Sequence, residues 1–83
     1  MEITWHPPKR ESNIVKHKLD FAEIGEEYFD AAIFQPAREG RWKAIGWLGP
    51  IVVAVIFQPR GDAALTIISA RRASRKERKF FNG

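Results

Sequence analysis

The sequence contains no cysteine, which excludes disulfide bonds, cysteine-ligated zinc and thiol catalysis. It also lacks a long apolar run. The longest, residues 44–57, has fourteen residues and is interrupted by Gly49-Pro50, whereas a membrane-spanning helix needs about 20. The N-terminus opens with charge and proline rather than with the apolar stretch of a signal peptide. We therefore expect a soluble, cytoplasmic protein, and the missing cysteine fits a reducing compartment.

The chain does contain enough apolar material for a small core. Of its 83 residues, 45% are hydrophobic and 12% aromatic, including three Trp and six Phe. That content is too high for a chain that stays disordered. A chain of this length buries about 60–65% of its surface on folding. We expect one domain spanning residues 1–83.

The positive charge is concentrated near the C-terminus. Residues 71–79 hold six of the fourteen Lys and Arg residues and one of the ten acidic residues, so they account for the whole net charge of +4. Such a basic segment favours a polyanion such as nucleic acid, or an acidic protein, as partner. A solvated basic tail is the alternative.

The first third of the chain predicts one short strand and two helices. Residues 3–5 form a candidate strand, and residues 8–17 form a surface helix that has a thin apolar stripe and begins with proline. Asp20 and Glu23 form a capping-box pattern for a second helix, whose apolar residues recur at i, i+3, i+4 and i+7. Gly25 falls inside that helix, where it would permit a strand or an indole ring to approach closely.

The rest of the chain predicts an antiparallel meander followed by a helix. The three strands of the meander are residues 41–48, 51–57 and 64–70. The β-branched run of the second strand is typical of a central strand buried on both faces, and Gly49-Pro50 is a hairpin signal. Residues 35–40 are expected to form a loop, and Ser74 with Glu77 predicts a capping box for the last helix. The order β-α-α-β-β-β-α gives an α+β fold, in which an antiparallel sheet is packed with helices on one side.

Metal-dependent chemistry is poorly supported by the residues. The three long strands contain no Asp or Glu, whereas two-metal nucleases need clustered carboxylates on rigid elements. His6 and His17 belong to different elements and lack an evident third zinc ligand. No nucleophile elbow of a serine hydrolase is present. We predict neither a metal nor a cofactor.

The chemistry that the residues do allow is cationic catalysis on RNA. RNA carries its own nucleophile, the 2′-hydroxyl, so a protein has to orient the phosphate, neutralise charge and move protons. Arginine is well suited to hold phosphate oxygens, and His, Lys or Tyr can move protons. Arg41 and Arg71 begin and end the meander, so we expect them at opposite ends of the sheet unless register or twist brings them together.

Several short motifs occur in order along the chain. They are N-x-x-K-H at residues 13–17, a Phe-Asp pair at residues 29–30, and I-I-S-A-R-R-A-S-x-x-E-R at residues 67–78. Single residues that fit the same pattern are Trp5, Lys9, Phe21, Arg41 and Gly46. In their order, their spacing and the total length, they resemble the BrnT-type ribonuclease toxins of type II toxin–antitoxin systems.

The resemblance implies a fold similar to that of the RelE toxins, a ribonuclease activity that inhibits translation, and neutralisation by a ribbon-helix-helix antitoxin. Such an antitoxin typically dimerises and holds two toxins, which implies a heterotetramer of two toxins and two antitoxins. RNA is the implied substrate, and no membrane partner is expected. The candidate catalytic residues are Lys16, His17, Arg41, Arg60 and Arg71. The candidate RNA-binding residues are Lys9, Arg72, Arg75, Arg78 and Lys79.

Structural alternatives accompany these roles. His17 either moves protons or complements the dipole at a helix C-terminus. Arg71 either holds a phosphate or pins the last helix through an ion pair with Glu77 or Asp30. The three tryptophans either stack on bases or belong to the core, which is the expected place of Tyr28 as well.

Three positions depart from the family pattern. His6 follows the first tryptophan where relatives usually have Asp, Thr66 stands where an arginine is common, and Gln58 stands where a threonine often ends the strand. These departures motivate a second hypothesis, a catalytically weak or inactive toxin-fold module that binds RNA or antitoxin. A purely structural partner protein is a third class.

Overall fold

The computed structural model describes residues 1–82. In chain order, the elements are β1 (Glu2–Trp5), α1 (Pro7–His17), a 3-10 turn (Phe21–Glu23), α2 (Glu26–Ala31), β2 (Ile33–Pro36), a second 3-10 turn (Arg38–Gly40), β3 (Trp42–Leu48), β4 (Ile51–Pro59), β5 (Ala64–Arg72) and α3 (Arg75–Asn82). The strands form one sheet in the order β1-β5-β4-β3-β2. β1 runs parallel to β5, and every other neighbouring pair is antiparallel. The α+β class is confirmed. No helix within residues 1–82 is long and apolar enough to cross a membrane.

β4 lies at the centre of the sheet, as its β-branched sequence predicts. Residues 52–55 are all buried, because a central strand is covered on both faces. Leu48 and Ile51 pair across the hairpin that joins β3 to β4. Gly49 has a φ of +58° in that hairpin, a left-handed conformation that glycine adopts without steric cost. The predicted hairpin is therefore confirmed.

β2 is a strand that the sequence analysis missed. Its residues pair with β3 from Ile33 opposite Ile45 to Pro36 opposite Trp42. Residues 35–40, expected to be a loop, thus contain the end of β2 and a 3-10 turn. A four-residue strand gives almost no period-two signal, and its final proline argues against a strand unless the strand lies at an edge, as β2 does.

The predicted second helix is split at Gly25. Phe21–Glu23 is a single 3-10 turn capped by the Asp20 side chain. Gly25 has an extended backbone and serves as N-cap of α2, and the space where a Cβ would stand is open, so it does not provide the expected close approach. That approach occurs at Gly46, where a Cβ would lie 3.2 Å from the Cβ of Ala32.

Helices cover both faces of the sheet rather than one. The turn Phe21–Glu23 and α2 cover one face of the sheet, here called the α2 face. Its core is formed by Leu19, Phe21, Ile24, Tyr28, Phe29, Ala44, Val53, Val55, Phe57, Leu65, Ile67 and Ala70. On the opposite α3 face, Phe81 packs against Ile45, Val52 and Ala73. Because side chains alternate along a strand, the apolar residues that β3 and β4 present on the second face need a cover of their own. α3 supplies it.

Tyr28 belongs to the core, as predicted. Its hydroxyl oxygen lies 2.7 Å from the carbonyl oxygen of Val53 and 3.1 Å from that of Ala44. Burial raises the pKa of Tyr28 above its ordinary value. The phenol is therefore a neutral hydrogen-bond donor inside the sheet, and not a proton-transfer group.

α1 is attached to the open edge of β5 by Asn13. β1 ends opposite Ile67, so the later residues of β5 have no strand partner on that side. The Asn13 Oδ1 accepts from the Ala70 N–H at 3.0 Å, and its Nδ2 donates to the Leu19 carbonyl at 2.9 Å. The amide accepts through its oxygen and donates through its nitrogen, so this one buried side chain fixes α1 against the sheet.

A second link joins α1 to the 3-10 turn that follows it. The Nε and Nη2 of Arg10 donate to the two carboxylate oxygens of Asp20 at 2.7 and 2.9 Å. These bonds, together with the capping bond that Asp20 accepts, lower the pKa of Asp20 to about 2. Asp20 therefore stays ionised and holds both segments together.

Candidate functional site

Three of the predicted site residues come together in a small groove between α1 and β5, here called the α1 groove. It encloses about 150 Å³ and is lined by Lys9, Ser12, Asn13, Lys16, His17, Ile68 and Ser69. Lys9, Ser12, Asn13 and Lys16 are spaced i, i+3, i+4 and i+7, which places them on one side of the helix. Lys9, Lys16 and His17 thus share one surface, although the sequence alone did not show which surface they face.

A β-bulge in β5 forms the opposite wall of the α1 groove. Ser69 is the register partner of Ile56, whereas Ile67 is the partner of Phe57, so Ile68 is an extra residue in β5. The bulge leaves Ile68 and Ser69 half-buried along the groove rather than in the core. Bulges commonly re-aim side chains next to functional sites.

The α1 groove is a cationic surface that is open to an anion. Lys9 and Lys16 are exposed and His17 is half-buried. Among the described residues, none that lines the groove carries a carboxylate, and none of the three basic side chains forms a salt bridge. Its functional groups are ammonium, imidazole, hydroxyl and amide, which can bind a phosphate and move protons.

Arg71 is engaged with Glu77, one of its two anticipated partners. The Nη1 and Nη2 atoms of Arg71 donate to the Glu77 carboxylate at 2.8 and 3.0 Å, and the Lys43 Nζ donates to it at 2.7 Å. The Ser74 N–H donates at 2.8 Å, and the Ser74 Oγ accepts from the Glu77 N–H, so the predicted capping box is confirmed. Arg71 therefore pins α3 to the sheet, and a phosphate that bound it would compete with Glu77.

The environment of Glu77 determines its charge state. Its side chain is only 9% exposed, and the bonds from Arg71, Lys43 and Ser74 lower its pKa well below the ordinary value. The sequence analysis missed Lys43. A usable signal was present, because Lys43 shares the alternation of Ile45 and therefore faces α3.

Arg60 and Arg41 lie at the other end of the sheet. The Arg60 Nε donates to the Thr66 Oγ1 at 3.1 Å, and that oxygen lies 3.0 Å from the Thr4 Oγ1. Gln58 is the register partner of Thr66, and its Nε2 donates to the Gly40 carbonyl, next to Arg41, at 3.4 Å. The departures Thr66 and Gln58 are thus part of one polar surface with Arg60.

The five candidate catalytic residues divide into two groups. Arg71 is the register partner of Ala54, which in turn pairs with Ile45 of β3. Arg41 lies four residues before Ile45 along the chain, just before β3 begins. Four residues span roughly 13 Å at 3.3 Å per residue. Arg41 and Arg71 therefore lie at opposite ends of the sheet, as expected. Lys16 and His17 lie beside Ser69, two residues from Arg71.

The basic residues of α3 face solvent, and the helix is anchored at two positions. Arg75, Arg78 and Lys79 are exposed, as is Arg72 at the end of β5. Phe81 packs against the sheet, whereas Phe80 is exposed. The buried Glu77 supplies the second anchor.

The three tryptophans do not share one environment. Trp5 packs edge-on against Phe21 in the core, with the ring centroids 6.4 Å apart. Trp42 and Trp47 are 38% and 47% exposed. Being five residues apart on β3, they face opposite sides of the sheet. Trp5 is therefore half-buried against the core, and Trp42 and Trp47 remain accessible to a ligand.

Within residues 1–82, no three His, Cys, Asp or Glu side chains lie close enough together to hold a metal ion. Within the described residues, the basic and hydroxyl side chains that could act on a substrate lie instead in the α1 groove and at the end of β5.

Comparisons with known proteins identify relatives. The family model described as "Ribonuclease toxin, BrnT, of type II toxin-antitoxin system" matches residues 5–77. The 1.1 Å crystal structure of the Brucella abortus ribonuclease toxin BrnT is similar to this fold with a TM-score of 0.84 and 49% sequence identity, covering 90% of this chain and 99% of that one. No protein of curated function matches the chain.

Proposed function

The chain belongs to the family of BrnT ribonuclease toxins of type II toxin–antitoxin systems, and on that premise we propose that it cleaves RNA internally, without a metal ion, at the α1 groove. Membership implies an RNA substrate and an antitoxin partner. The observation that carries the proposal is the presence of Lys9, Lys16 and His17 in one groove with two serine hydroxyls. A cationic groove without carboxylates suits a phosphate better than a divalent cation.

The reaction is an attack of the 2′-hydroxyl on the adjacent phosphate. A bond forms between the 2′-oxygen and phosphorus, and the bond from phosphorus to the 5′-oxygen breaks. His17 takes the proton of the 2′-hydroxyl, and the leaving 5′-oxygen gains a proton from solvent water. The products are a 2′,3′-cyclic phosphate and a 5′-hydroxyl end.

The other groove residues hold the phosphate during this step. Lys9 and Lys16 stabilise the charge that develops on the phosphate oxygens, an effect that is strongest when the donors are positioned in advance. Ser12 and Ser69 can donate hydrogen bonds to the same oxygens. Because Asn13 fixes α1 to β5, the two walls keep their separation when RNA binds.

The remaining candidates extend the RNA surface in both directions along the sheet. In this proposal, Arg60 and Arg41 bind RNA at one end, and Arg72, Arg75, Arg78 and Lys79 bind it at the other. Arg71 positions α3 and reaches a phosphate only when that phosphate displaces Glu77. Bound RNA would therefore cross the groove, with contacts on either side of the cleaved bond.

The test is cleavage of RNA in the presence of EDTA, followed by analysis of the product ends. We expect 2′,3′-cyclic phosphate or 3′-phosphate ends, and a rate at least about 100-fold lower for His17→Ala, since general acid–base catalysis contributes about 10²–10⁴-fold. Lys16→Ala should also be slower. Lys76→Ala, which removes an exposed lysine outside the α1 groove, is the matched control. Cleavage that requires added Mg²⁺, or full activity of His17→Ala, would refute this site.

The partner is proposed to be a ribbon-helix-helix antitoxin in a heterotetramer of two toxins and two antitoxins. RNA cleavage in the cytoplasm would then inhibit translation until the antitoxin binds. We also propose that residues 1–83 act as one toxin domain, with the likeness to RelE toxins as a further prediction. Size and mass of the co-expressed complex test the stoichiometry.

The ion pairs at the end of β5 support a second candidate function. Arg71 and Lys43 are both paired with Glu77, and Thr66 stands where an arginine is common in the family. The chain would then be a weak or inactive module that retains RNA or antitoxin binding. Growth arrest on expression without the antitoxin supports the active enzyme, whereas harmless expression of folded protein supports the module.

A further inference from the structure

A second pocket lies where the β3–β4 hairpin meets the end of β5 and the start of α3. It encloses about 290 Å³, and its walls include Trp47, Pro50, Val52, Arg72 and Arg78. We call it the Trp47 pocket. Its volume is at the lower end of the roughly 300–1,000 Å³ typical of small-molecule sites, which suits a single aromatic group.

The indole of Trp47 is held in place and still exposed. Phe81 packs against it edge-on, with the ring centroids 6.3 Å apart and the planes at 77°. Nearly half of the Trp47 surface remains accessible, although such a side chain usually buries most of its area. A supported, accessible aromatic face is what a stacking ligand requires.

On the side that faces α3, the surroundings of this indole are cationic, whereas Glu23, Glu26 and Glu27 line a separate pocket on its other side. Arg72 is exposed and, within the described chain, forms no salt bridge. Arg78 donates one hydrogen bond from Nη1 to the Ala73 carbonyl at 3.0 Å, which orients its guanidinium and leaves other donors available. None of the described residues that line the pocket carries a carboxylate.

We propose that the Trp47 pocket binds one unpaired base of the RNA substrate, which stacks on the indole of Trp47 while Arg72 and Arg78 contact the flanking phosphates. The combination of a stacking aromatic ring and a cationic surface is typical of single-stranded nucleic-acid sites. This inference rests on the proposed ribonuclease function and adds the substrate form: a single-stranded segment.

β5 connects the pocket to the proposed reaction centre. Ser69 lines the α1 groove and Arg72 lines the Trp47 pocket. They are three residues apart, or roughly 10 Å along the strand. Trp47 lies two strands across the sheet from β5, roughly another 10 Å at about 4.8 Å per strand, so an RNA strand with its reacting phosphate in the α1 groove can place a base a few nucleotides away on Trp47.

The experiment uses a 2′-O-methyl RNA oligonucleotide, which lacks the nucleophile and stays intact during the measurement. We expect Trp47→Leu, which keeps an apolar side chain against Phe81, to weaken binding about tenfold; this equals about 1.4 kcal/mol and falls within the 1–3 kcal/mol measured for stacking of one base. Trp42→Leu is the matched control, since Trp42 lies on the same strand with similar exposure and faces the other side of the sheet. Its affinity should equal that of the wild type.

Trp47→Phe separates stacking from stability. It keeps an aromatic ring, so most of the affinity should return, but quenching of tryptophan fluorescence by the oligonucleotide should fall below that of the wild type if Trp47 is the stacked indole. With cleavable RNA, Trp47→Leu should raise KM and leave kcat nearly unchanged. A fall in kcat at unchanged KM would contradict a binding role.

Several results would overturn the proposal. Equal affinities of Trp47→Leu and wild type, or quenching that is as strong in Trp47→Phe as in the wild type, refute the base pocket while leaving RNA cleavage at the α1 groove intact. Unchanged RNA affinity with lost neutralisation by the antitoxin would assign the pocket to the protein partner instead. If the wild type binds no RNA at all, the pocket and the proposed function fail together.

Discussion

Replacing Glu77 by Gln tests the anchor of α3. In the wild type, the carboxylate accepts two bonds from Arg71 and one each from Lys43 and Ser74. Each hydrogen bond to a charged group contributes about 1.5–3 kcal/mol, but Arg71 and Lys43 remain 40% and 23% exposed, so water replaces part of the loss. We expect the free energy of unfolding to fall by about 2–3 kcal/mol, less than the 3–5 kcal/mol for breaking a fully buried pair.

Thermal unfolding measures this loss. In a domain of this size, 1 kcal/mol shifts Tm by about 4–8 °C, so Tm of Glu77→Gln should lie roughly 10–20 °C below that of the wild type at neutral pH. Glu11→Gln removes an exposed glutamate from α1 and is the control, with an expected change within about 0.5 kcal/mol.

The pH dependence gives an independent check. The pKa of Glu77 is lowered in the folded state, so its stabilisation is fully present above the unfolded pKa of about 4.3. It is lost as the pH falls from about 5 through the lowered folded pKa. The Tm difference between wild type and Glu77→Gln should therefore shrink on acidification, whereas the difference for Glu11→Gln should not.

Two outcomes would refute this reasoning. One is a Glu77→Gln protein that melts together with the Glu11→Gln control at neutral pH. The other is a double-mutant cycle in which Arg71→Ala and Glu77→Ala are additive, because residues in direct contact normally couple by about 0.5–3 kcal/mol.

Two further predictions concern the basic helix and the support of α1. The triple change Arg75→Ala, Arg78→Ala and Lys79→Ala should lower the salt slope of RNA affinity by as much as ~2–3, with a stability change within about 0.5 kcal/mol for each exposed site; an unchanged slope, or an unfolded triple mutant, would contradict the role of these cations. Asn13→Ala leaves a buried N–H and a buried carbonyl without partners, so we expect a loss of about 2–4 kcal/mol in chemical denaturation. Asn13→Ala that is as stable as wild type would show that α1 is not held by this amide.

The parts of the fold that the sequence predicts are those with local signals. β4 has a continuous β-branched run, Gly49-Pro50 specifies a tight hairpin, and Ser74 with Glu77 specifies a capping box; all three are present in the structure. β2 and the break at Gly25 were missed because each depends on tertiary context. β2 exists only by pairing with β3, and Gly25 fits helical periodicity as well as it fits an N-cap.

The candidate site was predicted in composition but not in arrangement. Lys16 and His17 were identified from the motif, yet their grouping with Ser69 depends on the bulge at Ile68, which shifts the register of β5 by one residue. No local pattern in an apolar strand specifies such a bulge. The role of Asn13 also depends on an unpaired N–H of β5, and this becomes visible only when β1 is known to end early.

The basic C-terminal segment illustrates why charge counted along the sequence overstates the charge offered to a ligand. Arg71 meets Glu77 on the α3 face and is neutralised there, whereas Arg72, at the end of β5, lines the Trp47 pocket. Glu77, the one acid of the segment, is also its most buried charged residue and binds Lys43 from a distant strand. The positive charge that remains accessible for RNA is therefore divided between Arg72 with the outer side of α3 and the separate α1 groove. A single buried carboxylate thus neutralises part of the basic run, and what remains of that run lies beside a second cationic surface that α1 contributes at the edge of β5.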